Sequence, residues 1–310
     1  MKFNWNGKEY YIDGYLMHQI ESICYNIDND WDFVILVSGD RSVRVGKSVF
    51  TQTICAYYAY TMNKLGHKVR YTNDDIYFDN KVMMDEAQKK PKYAINHYDE
   101  AREGLAANKA MKSFQQDLMD FFNECGQLNQ LFVVVLPDFF GLKEEIAVAR
   151  SEFLINVYRK ETPIMTNKFK GETARPVVRL DRGYFEFFSR TKKRLLFDIS
   201  RSTRRKTYNL VKADFYGKFT NQYCVDEEEY KAKKKDSLAR FQERHDAQNS
   251  KTEKTHVFRD KIIFEQSLKG KSATQIKNHL EENYDYEISS RQINNILKVK
   301  HDSEENKEVE

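Results

Sequence analysis

Long apolar runs are missing from this chain. The strongest, residues 131–136, falls far short of the ~20 residues a membrane-spanning helix needs. The start, Met1-Lys2-Phe3-Asn4-Trp5, has no apolar core of signal-peptide length, so a cytoplasmic protein is expected. Cysteine is sparse as well. Cys24, Cys55, Cys125 and Cys224 lie far apart with no metal-type spacing and read as inert core thiols of a reducing compartment. A charge excess is also lacking: 51 Lys and Arg against 47 Asp and Glu leave +4, which gives no global argument for nucleic acid. With 310 residues, 32% of them charged, the chain suits a soluble protein with one large core and a small accessory domain.

What is present starts at residue 33. The apolar run 33–37 leads directly into Ser38-Gly39-Asp40-Arg41-Ser42-Val43-Arg44-Val45-Gly46-Lys47-Ser48. From Val49 to residue 65, apolar and small residues recur at helical spacing and stop at Gly66. A buried strand, a glycine-bounded turn and Gly-Lys-Ser opening a helix form the layout of a phosphate-binding loop. The chemistry dictates the residue types. Inward-pointing amides need small residues around them, and the helix N-terminus adds partial positive charge. Lys47 would reach the β/γ-phosphates, and the Ser48 hydroxyl would take a Mg²⁺ position. Gly39, Asp40, Arg41, Gly46, Lys47, Ser48 and Val49 are the candidate nucleotide cradle. The spacing is irregular, because Asp40 to Val45 exceed by two the four residues the pattern places between its glycines. Either two residues are extra, or the loop has ordinary length with Arg41 at the first glycine's place.

A second element follows about fifty residues on. The segment 93–98 reads as a strand interrupted by Asn96 and His97, and it leads into Asp99-Glu100. An acidic pair at the C-terminal end of a strand beside such a loop has a defined task. Asp99 would hold Mg²⁺, and Glu100 would activate the attacking water as general base.

On Gly39 to Ser48 and Asp99-Glu100, the chain resembles the P-loop NTPases that carry an additional catalytic glutamate, the RecA-like, AAA+ and FtsK/HerA-type motors. The Asp99–Leu105 stretch, a long helix and then the strand ending at Pro137 look most like the zonular-occludens-toxin-like and FtsK/HerA-like ATPases of viruses and mobile elements. The resemblance implies an α/β fold with a parallel sheet flanked by helices, ATP and Mg²⁺ as cofactors, and a homo-oligomeric ring. It also implies an active site between subunits, completed by a neighbour's arginine. Arg102 and Arg150 are the candidates, beside Lys47 and Glu100 as catalytic residues.

The pattern along the chain agrees with alternating strands and helices. A short hairpin and a helix (15–25) precede the loop, and strands are expected at 68–71, 131–136 and 151–158. A helix is expected over 106–125, with Met111, Phe114, Leu118, Phe121 and Phe122 on one buried stripe. The P-loop NTPase-like core is assigned to 1–175 and a β-rich extension to 176–225, with short strands at 177–180, 184–188 and 195–197 and a turn at 181–183. Basic clusters at 190–194 and 201–206, including Arg204 and Arg205, bracket the last of these and would sit on a β-hairpin, where they suit either a phosphate backbone or a solvated face. A charged linker or helix covers 226–254.

Residues 255–300 carry three short amphipathic segments with serine starts, and 301–310 is an acidic tail. Ile262, Ile263, Leu268, Ile276, Leu280, Ile293, Ile296 and Leu297 would face inward in a helix-turn-helix-like module. Its third helix would expose Ser290, Arg291, Gln292, Asn294 and Asn295 toward DNA. The expected function is an ATP-hydrolysing motor acting on DNA. The competing readings are a small-molecule kinase, with Arg201, Arg204 and Arg205 in a lid, and a DNA-binding regulator without significant hydrolysis.

Overall fold

The computed structural model describes residues 1–39, 45–99, 116–122, 124–164, 177–284 and 286–305. It divides into two compact units, Met1–Ser237 and Leu238–Glu310.

The first unit is a mixed α/β layer built on seven strands in the order β4-β5-β6-β3-β7-β8-β9. These are β3 (Phe33–Gly39), β4 (Ile76–Tyr77), β5 (Ile95–Tyr98), β6 (Leu131–Val135), β7 (Phe153–Ile164), β8 (Val177–Phe188) and β9 (Phe215–Lys218). Strands β4, β5, β6, β3 and β7 run parallel, while β8 and β9 add on antiparallel. A separate hairpin pairs β1 (Lys2–Trp5) with β2 (Lys8–Tyr11).

Central strands covered on both faces need apolar side chains at every position. Every residue of β6 is buried, and so is all of β3 after Phe33. Alternate residues feed two cores. Ile35, Val37, Val133 and Ile155 pack with helices α1 (Gly14–Asp28) and α2 (Lys47–Lys64). Val34, Leu36, Val134 and Leu154 pack on the other face with α3 (Asn80–Ala87) and α4 (Arg190–Thr203). No helix among the described residues is long and apolar enough to cross a membrane.

Several local expectations are corrected. Residues 195–197 are not a strand, because the burial of Lys193, Leu196, Phe197 and Ser200 follows helical spacing and places them in α4. The basic clusters therefore lie on and just after a helix, not on a hairpin. Residues 68–71 form no strand; Val69 instead exchanges bonds with the Asn63 side chain at 2.9 and 3.0 Å. The turn expected at 181–183 is absent. β8 continues through it with a shift of register against β7 between Tyr158 and Lys160, and with Gly183 at φ +93 where an added Cβ would lie 2.7 Å from the Phe219 carbonyl oxygen. β7 continues to Ile164, so β7 and β8 extend past the sheet as a two-stranded ribbon. Of the helix expected over 106–125, residues 116–122, 124 and 125 are described; 116–122 and 124 are helical, with Leu118, Phe121 and Phe122 buried, and Cys125 begins a 3-10 turn.

The charged segment is one helix, α5 (Glu227–Leu268), which runs through the boundary expected at 254. In the second unit, α6 (Ala273–Tyr284) and α7 (Ser290–Glu305) follow, each opened by a reciprocal cap, Ser272 with Gln275 and Ser289 with Gln292. Helix α7 takes in the first half of the expected tail. Ile262, Ile263, Ile276, Leu280, Ile288 and Ile293 form a small core with Ile296 and Leu297 against it. Leu268, expected inside, is 75% exposed.

Candidate functional site

The chain leaves β3 toward β4, β5 and β6 on one side and later returns to place β7 on the other. The carboxyl ends of strands flanking such a reversal form a crevice where ligands of open α/β sheets bind. Gly39 ends β3, and Asp99 directly follows the end of β5, with β6 between them.

Gly46 is the N-cap of α2, in the left-handed region at φ +100, and supplies no side-chain cap. The caps of α1 and α3 differ: Asp13 binds the amides that open α1, and Asp79 those of α3. The positive end of the helix dipole at a first turn opened by glycine favours an anion. A Cβ at Gly46 would also press on the Phe219 ring at 3.2 Å. Lys47 folds back over Gly39, so that a Cβ there would meet its Cδ and Nζ, and the Val157 carbonyl oxygen, at 3.2 Å each. The absence of a side chain at Gly39 is what lets the ammonium lie across the end of β3.

Ser48, on the first turn of α2, donates its hydroxyl to Asp99 Oδ1 at 2.9 Å. The carboxylate is fully buried. Its other oxygen, Oδ2, accepts the Tyr230 hydroxyl at 2.5 Å and lies 3.6 Å from Lys234 Nζ. Lys234 also donates to the Tyr230 hydroxyl at 3.3 Å. Burial raises the Asp99 pKa, but Lys234 and the bonds from Tyr230 and Ser48 outweigh it and hold the carboxyl below its usual range. Burial, then the Asp99 charge, pushes the Tyr230 phenol far up, so it remains a donor. Two residues earlier, buried His97 is bonded to the Tyr71 hydroxyl at 2.8 Å. Burial lowers its pKa to about 4, which keeps the ring neutral near pH 7.

Ser48 Oγ and Asp99 Oδ1 are two hard oxygens side by side, a donor set that fits Mg²⁺, which takes one or two protein oxygens and completes its shell with phosphate and water. Among the described residues, no cluster of three or more His, Cys, Asp or Glu would hold a metal without such help.

The structure thus brings Gly39, Gly46, Lys47, Ser48 and Asp99 to one edge of the sheet, and Val49 is buried in α2 just behind them. Asp40, Arg41, Glu100 and Arg102 lie outside the described residues. Arg150 is not part of this cluster. It lies at the opposite edge, before β7, where its guanidinium binds Asp32 at 2.5 Å. Arg204 and Arg205 are exposed just after α4, and four residues on from Arg204 the Tyr208 hydroxyl donates to Ser38 Oγ, next to Gly39, at 2.9 Å. In the second unit, Arg291, Gln292, Asn294 and Asn295 are exposed on α7, Ser290 is half-buried, and Gln292 is engaged in its helix's cap.

Sequence reasoning missed Tyr230 and Lys234. The signal was one aromatic residue inside a charge run, four residues from a lysine on the same helix face.

No protein-family model matches this chain, and no curated protein matches it.

Proposed function

We propose that this chain is an ATP-hydrolysing motor that acts on DNA, assembled as a homo-oligomeric ring. One observation supports the nucleotide half above all others. Ser48 and Asp99, 51 residues apart, meet at 2.9 Å on the sheet edge where Lys47 crosses Gly39 and Gly46 opens α2 without a side-chain cap. Three features chosen from the sequence for one chemistry coincide in space, at the topological position where α/β sheets bind ligands.

In this reading the α2 amides and Lys47 hold the phosphates, and Ser48 and Asp99 present oxygen to the cation. Bound Mg²⁺-ATP would supply the phosphoanhydride and the counter-charge that phosphoryl transfer needs. Glu100, assigned from sequence, accepts a proton from the attacking water at its carboxylate. The DNA half is supported by the exposed Arg194, Arg201, Arg204, Arg205 and Lys206 on and after α4, and by the polar face of α7.

The test is ATP hydrolysis by the purified protein with and without double- and single-stranded DNA. Turnover that rises with DNA and disappears in Lys47→Ala is expected. Turnover without DNA stimulation retires the motor, and phosphoryl transfer to a nucleoside in its place favours the kinase.

A further inference from the structure

Resting on the reading of Asp99 as the cation-holding carboxylate, we propose that Lys234 and Tyr230 are positioning residues that keep the divalent cation's place at Asp99 and compete with it. A carboxylate with no solvent exposure needs a counter-charge and full hydrogen bonding to remain ionised. Here the two requirements are met from two sides. Ser48 takes Oδ1, while Tyr230 and Lys234, one helical turn apart on α5, take Oδ2. A Mg²⁺ ion at the Ser48–Asp99 oxygens would bring the same neutralising charge to the same group. Two cations within a few ångströms of one carboxylate repel each other, so occupancy by one weakens the other.

The geometry lets Lys234 yield while its helix stays. Its side chain is 26% exposed, on a flexible four-carbon stem that can turn toward solvent or phosphate. The start of α5 is fixed independently: the Asn73 amide donates to Glu229 Oε2 at 2.7 Å and to the Asp226 carbonyl at 3.1 Å, and Lys233 donates to the Asn73 carbonyl at 2.6 Å. Just before it, the Cys224 amide bonds to Gln52 Oε1 on α2 at 3.1 Å. Tyr230 is the less mobile partner. It is buried, and its hydroxyl stays protonated against the carboxylate.

Competition has a signature that a merely structural lysine lacks. Removing Lys234 lowers the stability of the ligand-free protein, yet it makes the divalent cation bind more tightly. The experiment titrates Mg²⁺ into the full-length protein with ATP and reads the Mg²⁺ concentration at half-maximal enhancement of ATP binding, by calorimetry. Thermal melting with Mg²⁺ alone is run in parallel. In Lys234→Met the midpoint is expected to fall about tenfold while the ligand-free melting temperature drops, and Lys234→Arg should restore both. Tyr230→Phe, which deletes one donor at Oδ2 and keeps the ring, should lower the midpoint about threefold. It carries the test if Lys234→Met does not fold. An unchanged or higher midpoint in the folded variants overturns the inference. Lys47→Ala separates this from the underlying reading. If the wild type binds ATP and Lys47→Ala does not, an unmoved midpoint removes the competition alone. If the wild type binds no ATP, both fall.

Discussion

Two ion pairs join the two ends of the same sheet, and they are built differently. At the amino edge, Asp32 meets Arg150 at 2.5 Å, and burial outweighs the guanidinium, so the Asp32 pKa is raised. At the carboxyl edge, Asp99 is more deeply buried yet its pKa is lowered, because Ser48, Tyr230 and Lys234 all face it. Beyond depth, the neighbouring charges differ, Lys234 and His97 at Asp99 against Arg150 alone at Asp32, and the bonds from Tyr230 and Ser48 add to the first. Asp32–Arg150 clips the entries to β3 and β7 together. Asp99 is equipped as a poised anion beside an uncapped helix.

The largest effect should separate the two edges by activity. Glu100→Gln should keep ATP binding and lose about 10²–10⁴-fold in turnover, as removal of a positioned base does. Arg150→Met should leave turnover per folded molecule unchanged, and a comparable loss in that variant would break the contrast. Both rates come from one phosphate-release assay.

Next comes the strand end itself. Gly39→Ala puts a methyl 3.2 Å from the Lys47 side chain and from the Val157 carbonyl. It should weaken ATP binding about tenfold, the effect of ~1.4 kcal/mol, while the fold persists. Calorimetric titration beside circular dichroism reads both.

Stability should respond in the opposite place. Arg150→Met leaves a largely buried carboxylate without its charged partner and should cost about 2 kcal/mol in denaturant unfolding. A variant as stable as the wild type would make the amino-edge clip ornamental.

The smallest effect is one of sign. The lowered Asp99 pKa gives stability that is present above the unfolded carboxylate value and lost as pH falls through the folded one. The raised Asp32 pKa does the reverse: its contribution is present below the unfolded value and lost as pH rises through the folded one. From pH 6 down to pH 3, the stability gap between wild type and Asp99→Asn should narrow, and that of Asp32→Asn should widen. Each slope is bounded by about 1.4 kcal/mol per pH unit for a single proton. Parallel slopes in urea melts would erase the distinction.

The carboxyl edge was legible from sequence as far as composition and order carry chemistry. Val34 to Val37 and residues 131–136 announce buried strands, and Gly46-Lys47-Ser48 marks a helix start that lacks a side-chain cap. What stayed hidden came from distance and periodicity. Tyr230 and Lys234 reach Asp99 from across more than 130 residues, and nothing local in a run of lysines and glutamates tells which face turns inward. In α4 the signal existed, since 193, 196, 197 and 200 recur with helical spacing, but the short run 195–197 masks it by resembling a strand. Lys193 hides it further, because a lysine donating to the Ser151 carbonyl and hydroxyl inside the protein reads as a surface residue.

The ribbon formed by β7 and β8 has a colloidal consequence. Beyond Val157, the last β7 residue paired with β3, seven further residues run to Ile164, a reach of about 23 Å at strand rise. Among the described residues, that stretch pairs with β8 alone, so its margin away from β8 offers backbone groups to any other strand. Val178 and Leu180 add exposed apolar surface there. The guards are Pro163, which has no amide to donate, and the charged Arg159, Lys160, Arg179 and Asp181, with Asp181 tied to Thr162 at 2.8 Å and to Arg179 at 2.9 Å. Shelf life in concentrated solution therefore hangs on a handful of residues remote from both sheet edges, and Pro163→Val is the change most apt to turn a clear solution cloudy.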